Sequence, residues 1–210
     1  MFYVVKTPWW LKAWYPSCIW SMPGTGKKLY LSFDDGPHPA ITGFVLDELK
    51  KYNAKATFFC IGKNVLANPV MYSRILDEGH AVGNHSFNHY NGWKTEDAVY
   101  LNDIAEAKKY IDSDLYRPPY GRITKFQLAR LEQQRFKLKT VMWSVLSGDF
   151  DTAISGEKCW KHIEGKCKPG SIVVFHDSEK AEERLRYALP RTLEHYSRLG
   201  FSFEKIVADP

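Results

Sequence analysis

The chain has 210 residues, 44% of them hydrophobic and 25% charged, which is the composition of an ordinary globular protein with one domain. Its 29 basic and 24 acidic residues give a formal net charge of +5. Nucleic-acid binding depends on clustered Lys and Arg, and no run of five like charges occurs, so the composition argues against that class of function.

The first 26 residues are rich in aromatic side chains, namely Trp9, Trp10, Trp14, Tyr15 and Trp20. We expect this segment to pack its rings on a domain spanning residues 27–207, with anchoring at a membrane interface as the alternative. No basic region followed by a long apolar run precedes the domain, so we expect a cytoplasmic location, with envelope association left open.

Short apolar runs alternate with helical patterns along the rest of the chain. The runs predicted as strands cover residues 29–33, 56–61, 81–83, 115–117, 138–145, 172–176 and 201–206. Helical spacing of apolar residues predicts helices near 44–49, 68–79, 100–111, 124–135 and 182–198, and places Phe126, Ala129 and Leu131 on the inner face of the 124–135 helix. About seven such units favour a parallel barrel, an α/β fold that carries its chemistry at the carboxyl ends of the strands.

Four cysteines occur, and none of them forms a CxxC pair, so a structural zinc ribbon is not predicted. Cys60 lies in a strand-like run and is expected to be a buried thiol. Whether Cys159 and Cys167 pair stays open at this point.

Polar residues that could bind a metal or take part in catalysis directly follow the predicted strands. Asp34 and Asp35 end the first, and His85 and His89 follow the third. Two histidines four apart and one carboxylate form a ligand set for a divalent metal, with coordination positions left for water and substrate. The structural alternatives are imidazoles bonded to loop carbonyls and an aspartate that caps the turn at Gly36.

The remaining strand-end residues fit acid–base chemistry. Asp34, beside the metal but not bound to it, would stay ionised and act as general base. Arg117 could form a bidentate pair that orients one carboxylate, although a surface salt bridge is commoner for arginine. His176 is a natural general acid if Asp149 raises its pKa, and a core histidine otherwise.

Together, these residues form motifs that resemble those of a known family. The motifs are Ser32-Phe33-Asp34-Asp35-Gly36-Pro37, His85-Ser86-x-x-His89, Arg117-Pro118-Pro119-Tyr120 and the strand leading to His176-Asp177. In this order they resemble the polysaccharide deacetylases, the NodB-homology domain of carbohydrate esterase family four, over residues 27–207. The resemblance implies an incomplete, distorted (β/α) barrel with about seven strands.

The resemblance also implies a bound divalent ion, zinc in the first place with cobalt or nickel as alternatives, held by Asp35, His85 and His89. The substrate implied is an N-acetylated oligo- or polysaccharide, from which acetate is released. In this scheme Asp34 is the base that Arg117 positions. His176 is the acid that Asp149 tunes. Pro119 and Tyr120 contact substrate, Tyr120 through its backbone N–H.

The chain departs from the family pattern in its fourth motif, which usually is rich in aspartate and ends in Asp-Trp. Here residues 143–150 retain Asp149, while Ser144, Leu146 and Phe150 replace commoner residues. The departures concern the wall of the groove and hence the choice of substrate. Two other functions therefore stay open: an O-acetyl esterase acting on acetylated polysaccharide, and a non-catalytic sugar-binding domain.

Overall fold

A computed structural model describes residues 3–24, 26–133 and 136–208. All neighbouring strands of its sheet run parallel, in the order β5-β4-β3-β2-β1-β7-β6, and β8 also pairs with β1. The strands are β1 Lys28–Asp34, β2 Ala56–Cys60, β3 Ala81–Asn84, β4 Leu115–Tyr116, β5 Lys139–Thr140, β6 Val145–Leu146, β7 Ile172–His176 and β8 Ser202–Phe203. This is the incomplete, curled (β/α) barrel that the sequence predicted.

Helices connect most successive strands, as parallel pairing requires. They are α1 Trp9–Trp14, α2 Pro39–Lys51, α3 Gly62–Ala67, α4 Pro69–Asp77, α5 Asp97–Ala107, α6 Lys125–Leu131, α7 Gly156–Lys161 and α8 Glu182–Arg198. A single 3₁₀ turn covers Pro119–Gly121. No helix among the described residues is both long and apolar enough to cross a membrane.

The centre of the sheet is a stack of phenylalanines on three adjacent strands. Phe33 on β1 is in register with Phe58 on β2 and with Phe175 on β7. Its ring centroid lies 5.1 Å from that of Phe58 and 5.9 Å from that of Phe175, both in stacked orientation. All three are at most 1% exposed. Burying each ring contributes about 1.5–3 kcal/mol, and the stack fixes the strands whose ends carry the polar residues.

The predicted strand 138–145 is divided into two short strands, β5 and β6. Its first half pairs with β4 and its second half with β7, so one extended segment touches both edges of the sheet. Between the halves, the carbonyls of Val141 and Met142 accept hydrogen bonds from the side chain of Arg117, at 3.1 Å each. The side chain of the residue that follows β4 therefore supplies hydrogen bonds that a continuous strand pairing would have supplied.

The N-terminal segment lies beside this divided strand. Lys6 forms an antiparallel bridge with Val145, and Ile19 forms a parallel bridge with Val141. Within the segment Trp20 is buried at 7% exposure, whereas the three tryptophans of α1 are 79%, 55% and 61% exposed: Trp9, Trp10 and Trp14.

Three short helices, α1, α3 and α7, were not predicted, and the inner face of α6 was assigned wrongly. Phe126 is 49% exposed and Ala129 is also exposed, whereas Gln127 and Leu128 are buried with Leu131. The predicted end of this helix at Arg135 falls outside the described residues. The four cysteines are free thiols, so Cys159 and Cys167 do not pair.

Candidate active site

The parallel sheet brings the predicted site residues to one edge. Asp34 and His176 are the last residues of β1 and β7 and are neighbours in register. His85 follows β3 directly, and Arg117 follows β4. Because the carboxyl ends of parallel strands meet on one side of a barrel, side chains distant in sequence converge there.

Three of these residues form a cluster with the composition of a metal site. One ligand atom each from Asp35, His85 and His89 can be chosen so that all three lie within 4.8 Å of one another. Asp35 Oδ1 is 3.3 Å from His89 Nε2 and 3.8 Å from His85 Nε2. Two imidazoles and one carboxylate leave coordination positions free for water and substrate, as catalytic zinc sites require.

The protonation of the histidines fits metal binding. The Nδ1 of His85 donates to the backbone carbonyl of Arg117 at 2.8 Å. Since a carbonyl only accepts, the proton is on Nδ1, and the lone pair of Nε2 is directed toward Asp35. Burial lowers the pKa of His85 well below its usual range and also lowers the pKa of His89. Both rings are therefore neutral near pH 7, the form that coordinates a metal.

The loop that carries the two histidines is held by the buried side chain of Asp103. Its Oδ2 accepts the backbone N–H groups of Phe87 and Asn88 at 2.9 and 3.0 Å, and its Oδ1 accepts from the Asn88 amide at 2.6 Å. Within the loop, the hydroxyl of Ser86 accepts the N–H of His89 at 3.0 Å. The direction of both imidazoles thus depends on residues that do not touch the cluster.

Backbone strain is concentrated at the same place. Six non-glycine residues among those described have a positive φ, and four of them belong to this site: Asp35 at 85°, Ser86 at 63°, His89 at 62° and Tyr120 at 59°. Such conformations cost about 1–3 kcal/mol each and persist where the surroundings enforce them. This concentration supports a functional reading of the site.

Asp34 is held by Arg117 in the interior of the barrel. The guanidinium Nη1 donates to Asp34 Oδ1 at 2.7 Å and to the Ser32 hydroxyl at 2.8 Å. The predicted bidentate pair is wrong, because the other bonded nitrogens of Arg117 donate to backbone carbonyls of the divided strand. The surface salt bridge is excluded too, since Arg117 is 0% exposed and lies over the ring of Phe59, 4.0 Å from its centroid.

His176 and Asp149 form a second ion pair beside Asp34, at the end of the neighbouring strand β7. The ring Nδ1 of His176 lies 2.7 Å from Asp149 Oδ1, and Asp149 is fully buried. Burial acts to lower the pKa of His176, but the Asp149 carboxylate outweighs it, and Asp35 and Asp34 add to its effect, so the pKa rises to about 9. His176 is therefore protonated near pH 7, with Nε2–H as the free donor.

Hydrogen bonds with the residues that follow β7 hold the turn that follows β1. Asp177 Oδ1 accepts the backbone N–H of Gly36 at 3.0 Å, and the hydroxyl of Ser178 donates to Asp35 Oδ2 at 3.1 Å. Burial raises the pKa of Asp177 to about 7, although hydrogen bonds from Thr42 and from the Gly36 backbone act against this rise. The Asp35 carboxylate is thereby oriented toward the two histidines by residues that directly follow β7.

Residues 21–138 match the sequence profile of the family described as polysaccharide deacetylase, and a curated relative is 35% identical over 88% of the chain. The chain belongs to the polysaccharide deacetylase family. That relative is a peptidoglycan-N-acetylglucosamine deacetylase of Bacillus cereus, of which 88% is covered. This polysaccharide deacetylase is thus a hydrolase of carbohydrate esterase family four.

Two further relatives agree with this assignment. The peptidoglycan-N-acetylglucosamine deacetylase PgdA of Listeria monocytogenes is 36% identical over 87% of this chain, which spans 38% of that protein. The crystal structure of the Bc1960 peptidoglycan N-acetylglucosamine deacetylase, in complex with a hydroxamate-bearing benzamide, superposes with a TM-score of 0.85 at 29% identity, covering 95% of each chain.

Some site residues of this polysaccharide deacetylase could be found only in three dimensions. Asp103, Asp177 and Ser178 support the cluster, and the sequence analysis assigned none of them such a role. Tyr120, 56% exposed, has its ring centroid 4.6 Å from that of His89, whereas Pro119 is buried. The sequence offered one signal for Asp103, namely that it lies on the same helix face as the apolar residues of α5. A carboxylate on a buried face requires hydrogen-bond donors nearby.

Proposed function

We propose that this polysaccharide deacetylase removes N-linked acetyl groups from an N-acetylated saccharide and releases acetate. The observation that carries the proposal is the placement of two ion pairs around one ligand cluster. Asp34 with Arg117, and His176 with Asp149, flank Asp35 and the two histidines. A base and an acid on adjacent strand ends can serve the two faces of one scissile bond.

The chain's own residues account for the proton transfers. Asp34, fixed by Arg117, takes a proton from the attacking water. The backbone N–H of Tyr120 stabilises the oxyanion that develops on the acetyl carbonyl oxygen when water adds to the carbonyl carbon. His176 then donates its Nε2 proton to the leaving nitrogen, so that the products are acetate and a free amine.

A divalent ion held by Asp35, His85 and His89 would polarise the acetyl carbonyl and increase the acidity of water. The two neutral imidazoles and one carboxylate favour Zn²⁺, with Co²⁺ and Ni²⁺ as alternatives. The substrates in the names of the relatives are peptidoglycan and chitooligosaccharide, so we propose an N-acetylhexosamine polymer or oligomer as the substrate class.

The direct test is acetate release from peptidoglycan, chitooligosaccharides and acetylated xylan, with zinc, cobalt or nickel added. We expect release from the N-acetylated substrates and little from xylan; the reverse order would establish the O-acetyl esterase. The Asp34→Asn variant should lose about 10³-fold in kcat while keeping one metal per chain. The matched control Asp47→Asn changes an exposed carboxylate on α2 and should leave kcat unaltered.

A sugar-binding domain without activity is the remaining alternative. It predicts saccharide binding without acetate release under all three metals. The intact ligand set and the buried Asp34–Arg117 pair argue against it, because a binding domain has no need of an unligated carboxylate held beside a metal site.

A further inference from the structure

Three exposed aromatic side chains lie along the loop that leaves the candidate active site. They are Tyr120, Trp93 and Trp14, which are 56%, 56% and 61% exposed. We call them, together with the cations Arg122 and Lys125, the aromatic strip. Exposed aromatic groups that form a connected surface mark interaction sites more often than scattered ones.

The strip begins at the ligand cluster. The ring centroid of Tyr120 is 4.6 Å from that of His89. Two residues further along, the guanidinium carbon of Arg122 lies 4.1 Å from the ring centroid of Trp93. The loop from 120 to 122 thus connects the candidate metal ligand to the first tryptophan of the strip.

Trp93 is held in place without a ligand. Its indole N–H donates to the carbonyl of Ile123 at 3.1 Å. The buried amide of Gln127 donates to the carbonyl of Gly92 at 2.9 Å and accepts the N–H of Thr124 at 3.0 Å. The loop that contains Gly92 and Trp93 is therefore joined to the residues at 123–127 on either side of Trp93. Binding of a ligand there would require little reordering of the Trp93 side chain.

The N-terminal segment extends the strip. The hydroxyl of Tyr15 donates to the same Ile123 carbonyl at 3.2 Å. Next to it on α1, the ring centroid of Trp14 is 5.0 Å from Lys125 Nζ. A single carbonyl group thus anchors both Trp93 and Tyr15, the residue that follows α1, so the end of α1 lies beside Trp93.

The chemistry of the strip fits a saccharide chain. The C–H face of a hexose ring is apolar and stacks on exposed indole surface, while the hydroxyl and carboxylate groups of the chain bond to the cations that lie against the rings. Arg122 can bind a carboxylate through two parallel N–H groups. Insertion into a bilayer is less favourable, because the cations that lie over the rings would have to be buried with them.

We propose that the aromatic strip is an extended subsite for the saccharide chain on one side of the reacting sugar, with a preference for chains that carry carboxylates. The inference rests on the proposed function for the identity of the chain. It adds that recognition reaches past the strand ends to residues 14–15 of the N-terminal segment.

The test measures affinity separately from turnover. Calorimetry with the metal-loaded Asp34→Asn protein compares a dimer and a hexamer of N-acetylglucosamine. We expect tighter binding of the hexamer, and the ratio of hexamer to dimer affinity should fall roughly three- to tenfold in Trp93→Ala and Trp14→Ala. Trp9→Ala, on α1 but outside the strip, is the control and should keep the ratio.

A second comparison concerns charge. Peptidoglycan glycan fragments of six sugars carry carboxylates, and they should bind more tightly than the uncharged hexamer, with the difference lost in Arg122→Gln. An unchanged hexamer-to-dimer ratio in both tryptophan variants overturns the subsite. Loss of binding to anionic vesicles, with saccharide affinity kept, would assign the strip to a membrane instead. Failure of the proposed function appears separately, as absent acetate release by the unsubstituted protein.

Discussion

The carboxylate of Asp149 accepts two hydrogen bonds from His176, one from the ring Nδ1 and one from the backbone N–H, both at 2.7 Å. The two oxygens thereby fix the position of the residue and the orientation of its ring. A general acid held in this way has one remaining ring proton, on Nε2, and that proton is available to substrate.

This pair predicts a pH dependence. A general acid acts only while protonated, so kcat/KM should stay level as pH rises and fall as it passes the His176 pKa of about 9. Because folding raises the pKa of His176, the ion pair also stabilises the fold. This contribution is complete at pH values below the ordinary histidine pKa and is lost as the pH rises through about 9.

In Asp149→Asn, burial still acts to lower the pKa of His176, but the carboxylate that opposed this effect is gone. We therefore expect the alkaline limb of the pH–rate profile to move to lower pH and kcat to fall about 10²-fold or more. Asp151→Asn, two residues along, is the control and should keep the profile. A pH–rate profile with the same alkaline limb in Asp149→Asn would remove His176 from the role of acid.

Arg117 is predicted to matter for stability as much as for activity. Arg117→Leu leaves the buried carboxylate of Asp34 without its cation and the carbonyls of Val141 and Met142 without their donor. We expect the free energy of unfolding in urea to fall by about 3–5 kcal/mol. The double variant Arg117→Leu with Asp34→Asn should recover part of this loss, and no recovery would mean that the carbonyl contacts dominate.

Metal affinity should depend on Asp103. Removing its carboxylate in Asp103→Ala frees the N–H groups of Phe87 and Asn88 and loosens the histidine loop. Equilibrium dialysis with zinc should show affinity weakened by about 10–100-fold. Glu106→Ala changes another acidic residue of α5, one that pairs with Lys109, and should bind zinc as the parent does. Equal affinities in both variants would contradict the supporting role.

Gly36 is predicted to tolerate no side chain. A Cβ at this position would lie 2.1 Å from Asp177 Oδ2, so Gly36→Ala must displace either the Asp177 side chain or the turn that it holds. We expect a loss of about 1–3 kcal/mol in thermal or urea unfolding, together with weaker metal binding. Gly43→Ala is the control: on α2 its Cβ would meet Arg74 and Met71 at 3.6 Å, an ordinary contact, and it should stabilise by about 0.5–1 kcal/mol.

The sequence predicted the parts of the fold that depend on local pattern. Apolar runs identified β1, β2, β3 and β7, and the last long helix was predicted at the bounds the structure has, Glu182–Arg198. The residues at the strand ends then followed from the topology, since parallel strands bring their carboxyl ends together. For that reason Asp35, His85 and His89 were found as one cluster without coordinates.

Features that depend on distant partners were not predictable. The division of the fifth strand follows from pairing with β4 at one end, with β7 at the other, and with residues near the N-terminus. The inner face of α6 was misjudged because one of its buried residues is the polar Gln127, whose amide bonds to Gly92 and Asp97. Hydropathy alone cannot identify a buried amide whose partners lie on another loop.

The pairing of the N-terminal segment with the divided strand has a consequence for how the chain acquires its structure. Thr7 bonds to Trp143, 136 residues away, and Lys6 pairs with Val145. During synthesis these contacts cannot form until residues 143–145 have been made. Such contacts close long loops and are expected to form late. Trp20, which is buried in the folded chain, would stay accessible to chaperones throughout that interval, and its fluorescence should report the final step of folding.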